Sequence, residues 1–137
     1  MRVVFLNRYF FPDHSATAQI LSDLAFHLAD RGEEVEVITS RQLYDDPVAT
    51  LPRRECVRGV NVHRLSASRF GRHSLLGRGL DYASFYAASA AKLLSVARKG
   101  DVVVVKTDPP MLSVLASVLA PLKRYRTVNW LHDVYPE

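Results

Sequence analysis

Short apolar runs alternate along the chain with longer amphipathic segments. Val102–Val105, four consecutive valines, predicts a strand buried on both faces, as in a parallel sheet. Cys56–Val57 and Val60–Arg64 flank Arg58–Gly59, a pattern typical of a short hairpin. The remaining runs of strand length are Val3–Leu6, Glu34–Thr39 and Thr127–Leu131. Asp101 directly precedes the strand of four valines.

Three segments carry apolar residues at helical spacing. They are Ala16–Arg31, Leu80–Arg98 and Met111–Leu122. Ser15 is placed as an N-cap of the first helix, and Gly32 and Gly100 as stop signals of the first two. Residues 40–59 and 66–79 carry prolines, glycines, serines and arginines, which predicts two long loops.

This alternation predicts an α/β fold, a Rossmann-like doubly wound sheet of five mainly parallel strands with helices on both faces. Such sheets bind ligands outside the carboxyl ends of the strands, where the strand order reverses. If Val3–Leu6 and Val102–Val105 are neighbours there, the crevice is lined by Asn7–Ser15 and Lys106–Pro110. His132 and Asp133 follow the last strand at the same edge.

Composition limits the domain size, the cellular location and the kind of partner that we expect. The chain has 137 residues, 48% of them hydrophobic, which suits one domain with a core of its own. The single cysteine allows no internal disulfide, and the longest uncharged stretch, Pro109–Leu122, is shorter than the ~20 residues of a membrane span. We therefore expect a cytoplasmic protein. Its net charge of +4 favours an anionic partner.

Missing motifs exclude several classes of function. The connection after the first strand holds no glycine, so neither a dinucleotide fingerprint nor a phosphate-binding P-loop is present there. No His, Cys or Asp cluster has metal-ligand spacing, and Ser113 and Ser117 lack the glycines of a nucleophile elbow. We expect no metal and no cofactor. Nucleic acid is not an expected partner, because no RNA-binding strand motif is present.

Two groups of residues at the predicted crevice are candidates for binding a ligand. The backbone N–H groups at Ser15–Ala16–Thr17 suit a phosphate group, although an ordinary capped helix gives the same pattern. His132 with Asp133 can hydrogen-bond a sugar hydroxyl or a phosphate, and His14 flanks the same crevice. A histidine packed at the edge of a strand is the alternative for His132.

Seven segments together resemble a known family. Residues 24–35, with the sequence LAFHLADRGEEV, are common across it, whereas Tyr9–Asp13 and His132–Glu137 are more specific. The other matching segments are 37–40, 59–65, 101–104 and 107–110. The chain resembles, over nearly its whole length, the N-terminal domain of GT-B glycosyltransferases of family 4, the WcaI/WbuB-like group of bacterial surface polysaccharide synthesis.

The resemblance implies a retaining transferase that moves a sugar from a nucleotide-sugar donor to a glycan acceptor, often polyprenyl-linked. Residues 1–137 would form the acceptor-side domain of a longer enzyme and would be inactive alone. His132 would act beside the donor sugar. Substrate would be bound by Asp13, His14, Ser15, Ala16, Thr17, Thr107, Asp108 and Asp133. The alternative is a non-catalytic binding module that partners a separate catalytic chain.

Residues 56–80 contain no Asp or Glu, and apolar residues lie between their arginines. A solvated basic loop is one interpretation. A surface that meets an anionic membrane and the lipid-linked acceptor is the other, and it involves Arg69, Phe70, Arg72, Leu75, Leu76 and Arg78.

We predict that the protein co-sediments with vesicles containing anionic lipid at low salt. Each basic residue near such a surface contributes about 1 kcal/mol, so replacing Arg69, Arg72 and Arg78 together with Glu is expected to abolish binding. Equal sedimentation of the two proteins would contradict the membrane interpretation.

Overall fold

A computed structural model describes residues 2–7, 10–11, 16–41, 51–65, 75–106 and 112–130. Six strands and three helices follow one another along these ranges. In chain order they are β1 Arg2–Leu6, α1 Ala16–Asp30, β2 Glu34–Ser40, β3 Arg54–Val57, β4 Val60–Leu65, α2 Leu75–Val96, β5 Val102–Lys106, α3 Leu112–Lys123 and β6 Arg126–Trp130.

The six strands form one sheet in the order β3-β4-β2-β1-β5-β6. Every pairing is parallel except that of β3 with β4. The predicted doubly wound α/β fold is confirmed, but the sheet has six strands rather than five. The extra strand is β3, which pairs with β4 because Arg58 and Gly59, at φ 50° and 86°, form a tight turn.

One helix covers one face of the sheet and two cover the other. On the first face, Leu21, Ala25 and Phe26 of α1 pack on Phe5 and Val37. On the second face, α2 contributes Phe85 and Leu93 and α3 contributes Ala116, packed against alternate residues of β1, β2 and β5. The central strand β1 is therefore buried on both faces, as its apolar sequence predicts.

The second helix begins earlier than predicted. It starts at Leu75 and includes Gly77 and Gly79, which the sequence analysis assigned to a loop. Each glycine lowers helix stability by about 1 kcal/mol, and the three leucines and one arginine among the same six residues are favourable helix formers that offset this. The tail of the predicted basic loop is thus helical, from Leu75 onward.

The amino edge of the sheet holds a buried network of charges. The Arg2 guanidinium donates to Glu36 Oε1 at 3.1 Å, to the Val96 carbonyl at 2.9 Å and to the Asp101 carboxylate. Asp101 also accepts from the backbone N–H of Arg98 at 2.7 Å. The network ties β1 and β2 to the segment between α2 and β5.

His63 extends this network on β4. Its Nε2 lies 3.4 Å from Glu36 Oε2, and the side chain is buried. Burial lowers the pKa of His63 below its ordinary value of 6.5, although the Glu36 carboxylate acts in the opposite direction. The folded protein therefore favours the neutral imidazole.

This pKa predicts a loss of stability in mild acid. Because the folded-state pKa of His63 lies below 6.5, the unfolded chain binds this proton first as the pH falls. The free energy of unfolding, measured by urea titration, is expected to decrease as the pH drops through and below 6.5. His63→Gln is expected to flatten that slope, and an unchanged slope would show that His63 is not its source.

Candidate functional site

The carboxyl ends of three neighbouring strands meet at one edge of the sheet. Leu6 of β1 is paired with Val105 of β5, and Lys106 is paired with Trp130 of β6. The chain leaves β1 through α1 toward β2, whereas β5 and β6 lie on the other side, so the strand order reverses between β1 and β5. The predicted switch point is confirmed. It is the place where doubly wound sheets bind ligands.

Most residues predicted for the site lie outside the described residues. They are Asp13, His14, Ser15, Thr107, Asp108, His132 and Asp133, together with Arg69, Phe70 and Arg72 of the predicted membrane surface. Ala16 and Thr17 form the start of α1, and Leu75, Leu76 and Arg78 the start of α2. The structure fixes where the surrounding segments leave the sheet: residues 107–110 follow β5, and residues 131–137 follow β6.

The connection between β1 and α1 is held at Phe11. The Phe11 N–H donates to Ser22 Oγ of α1 at 3.1 Å. The Phe11 carbonyl accepts from Arg64 Nη2 of β4 at 2.6 Å. The N–H and the carbonyl of Phe11 are thus bound by two different elements, α1 and β4, which fixes the position of this backbone residue.

Aromatic contacts reinforce this anchor. The Phe26 ring of α1 lies edge-on to Phe10 and Phe11, at centroid distances of 5.8 and 5.6 Å. The Arg58 guanidinium of the β3–β4 turn sits 4.4 Å from the centroid of the same ring. The hairpin, α1 and the β1–α1 connection therefore share one aromatic centre.

Arg64 is buried, although it belongs to the arginine-rich segment 56–80 that contains no acidic residue. It is only 3% exposed, and its guanidinium pairs with the Glu55 carboxylate across the hairpin. Sequence reasoning missed this role. The available signal was Glu55 itself, since a hairpin turn at Arg58–Gly59 brings the two residues to neighbouring strands.

The beginning of α1 is the part of the described site with a clear chemical capacity. The first N–H groups of a helix have no partner within the helix, and the helix dipole adds partial positive charge. Because α1 connects two parallel strands, it runs opposite to them and begins at their carboxyl edge. This position suits the phosphate of a ligand held in the crevice.

A shallow depression lies on the outermost hairpin, away from this edge. It is lined by Arg54, Glu55, Cys56, Asn61 and Val62.

Within the ranges that the structure describes, no helix combines the length and apolarity that crossing a bilayer requires.

The contact of Arg64 with the Phe11 carbonyl can be tested by mutation. Arg64→Met leaves Glu55 half-buried without its partner and removes the donor to the Phe11 carbonyl, so we expect a loss of about 3 kcal/mol in unfolding free energy. Hydrogen exchange at the Phe11 amide is expected to accelerate. Arg54→Met, at an exposed position of the same hairpin, serves as the control and is expected to change neither measurement. Equal exchange rates in both variants would contradict the anchor.

Comparison with known proteins bears on the fold. No protein-family model matches the chain, and no curated protein matches it. Among solved structures, the chain is similar to the sucrose-phosphate synthase of Thermosynechococcus elongatus, with a TM-score of 0.66 and 13% sequence identity over 96% of this chain. The match covers 33% of that protein, so the chain spans about a third of its length. That neighbour is a GT-B glycosyltransferase, and at this identity the likeness establishes the fold, not the family 4 group.

Proposed function

We propose that the chain is the acceptor-side, N-terminal domain of a retaining glycosyltransferase, one that moves a sugar from a nucleotide-sugar donor to a lipid-linked glycan in polysaccharide biosynthesis. The observation that supports this most is the switch-point crevice between β1 and β5, with the start of α1 at its edge. The crevice belongs to a fold that is similar to part of a sucrose-phosphate synthase.

In this proposal, the residues before and at the start of α1 approach the donor diphosphate. Donor chemistry of this kind creates negative charge on the leaving nucleotide, and helix N–H groups stabilise such charge without a metal. The contacts of Phe11 support this role, because they tie the connection that leads into α1 to both α1 and β4. A second domain would supply most of the donor contacts.

His132 is proposed to orient the donor sugar. In the sequence it follows Trp130, the last residue of β6, by two residues, and β6 ends beside β5. Residues of the acid-free segment 56–80 near the start of α2 would meet the lipid-linked acceptor at the membrane surface. The enzyme would then work at the inner face of the cell membrane.

Replacement of His132 in the complete enzyme tests the proposal. His132→Ala removes one preorganised hydrogen-bonding group from the transition state, so we expect a loss of about 2–4 kcal/mol, or a decrease in kcat of about 30- to 900-fold. Thermal stability is expected to change little. His27→Ala, at an exposed position of α1, is the matched control and is expected to keep full activity. A kcat near that of the unmodified enzyme in His132→Ala would overturn the assignment.

A further inference from the structure

A continuous series of hydrogen bonds runs from the β3–β4 hairpin to the first turn of α1. Arg64 of β4 donates to the Glu55 carboxylate with one guanidinium nitrogen and to the Phe11 carbonyl with another. The Phe11 N–H donates to Ser22 Oγ at 3.1 Å, and the Ser22 hydroxyl donates to the Ala18 carbonyl at 2.6 Å. Because Ala18 is the third residue of α1, these contacts connect an edge strand of the sheet to the beginning of the helix.

Ser22 joins the connection after β1 to the backbone of the helix. Its side chain is buried, and its hydroxyl accepts one hydrogen bond from Phe11 and donates one to Ala18, a turn earlier in α1. Serine is a poorer helix former than alanine, and its bond to a carbonyl of the preceding turn slightly destabilises a helix. The contact with Phe11 is what the hydroxyl adds at this position.

Arg64 is a costly way to fill its position in the fold. The side chain is buried, and within the residues that the structure describes its Nε–H has no acceptor. A buried donor without a partner is unfavourable. Replacing a buried ion pair with apolar side chains of similar size is often neutral or stabilising. Stability alone therefore does not explain an arginine here, whereas its bond to the Phe11 carbonyl gives it a second role.

We propose that Arg64 and Ser22 are positioning residues, which act through Phe11 to set how well the first backbone N–H groups of α1 bind a diphosphate. Both side chains are buried, so they act on the ligand without touching it. The inference rests on the proposed function, in which the start of α1 approaches the donor diphosphate. It adds an effect of the β3–β4 hairpin on diphosphate affinity, although β2 separates that hairpin from β1 and the crevice.

Binding of inorganic pyrophosphate to the isotope-labelled chain tests the proposal. NMR follows the backbone amides of Ala16, Thr17 and Ala18 in folded molecules, so the Kd does not depend on the folded fraction of the sample. These amides are expected to shift and saturate in the unmodified protein. Ser22→Ala is expected to raise the Kd about 2- to 10-fold, the effect of one lost hydrogen bond. Ser95→Ala, which removes the same kind of serine-to-carbonyl bond from α2, is the matched control and is expected to leave the Kd unchanged.

A second variant separates positioning from stability. Replacing Glu55 and Arg64 together with Met removes the ion pair as a unit, so the free energy of unfolding is expected to stay near that of the unmodified protein. The Phe11 carbonyl still loses its donor, so the Kd for pyrophosphate is expected to rise by a similar factor. Arg54→Met, at an exposed position of the same hairpin, is the control for charge. It removes one positive charge, whereas the double variant leaves the net charge unchanged, and it is expected to keep the Kd.

Two results would overturn the inference, and they differ in what they mean for the proposed function. An unchanged Kd in Ser22→Ala or in the double variant would overturn the positioning role of the residue replaced there and would leave the proposed function standing. Amides at the start of α1 that do not respond to pyrophosphate in the unmodified protein would overturn the inference together with the donor-binding role proposed for that helix start.

Discussion

Parallel pairing of β1 on both sides is the constraint on which the rest of the structure depends. A strand between two parallel neighbours, buried on both faces, needs crossover helices above and below the sheet. Those helices must return the chain to the amino edge, so each connection that leads from a parallel strand into a helix leaves the sheet at the opposite edge. The crevice between β1 and β5 is a consequence of this topology and needs no particular sequence motif.

The described part of the connection after β1 is held by side-chain contacts that are specific to this chain. Many phosphate-binding connections rely on glycines, whereas the connection after β1 contains none. Phe10 and Phe11, the described residues of that connection beyond Asn7, are held instead by Ser22 and the Phe26 ring of α1 and by Arg64 of β4. Burying Arg64 is unfavourable unless it is paired, and Glu55 and the Phe11 carbonyl provide that pairing. Stability and site geometry therefore rest on the same contacts.

Local sequence patterns predict most of the fold but little of the site. The valine strand, the Arg58–Gly59 turn and the first helix follow from burial, backbone freedom and periodicity, which act over a few residues. The start of α2 at Leu75 was missed because glycine signals dominate locally, while packing of the helix decides its extent. The burial of Arg64 was missed because its partners, Glu55 and Phe11, meet it only after the strands pair. The fold is predictable where local terms agree, and side-chain partnerships across elements are not.

The two edges of the sheet differ in their electrostatics. At the amino edge Arg2 pairs with both Glu36 and Asp101, and Lys99, Lys123 and Arg124 lie where α2 and α3 end. Cations at helix C-termini offset the negative ends of the dipoles. All three helices begin at the carboxyl edge, and no acidic side chain occupies the first turn of any of them. The positive ends of the three helix dipoles therefore lie at the carboxyl edge, where the backbone N–H groups of the helix starts favour an anionic ligand.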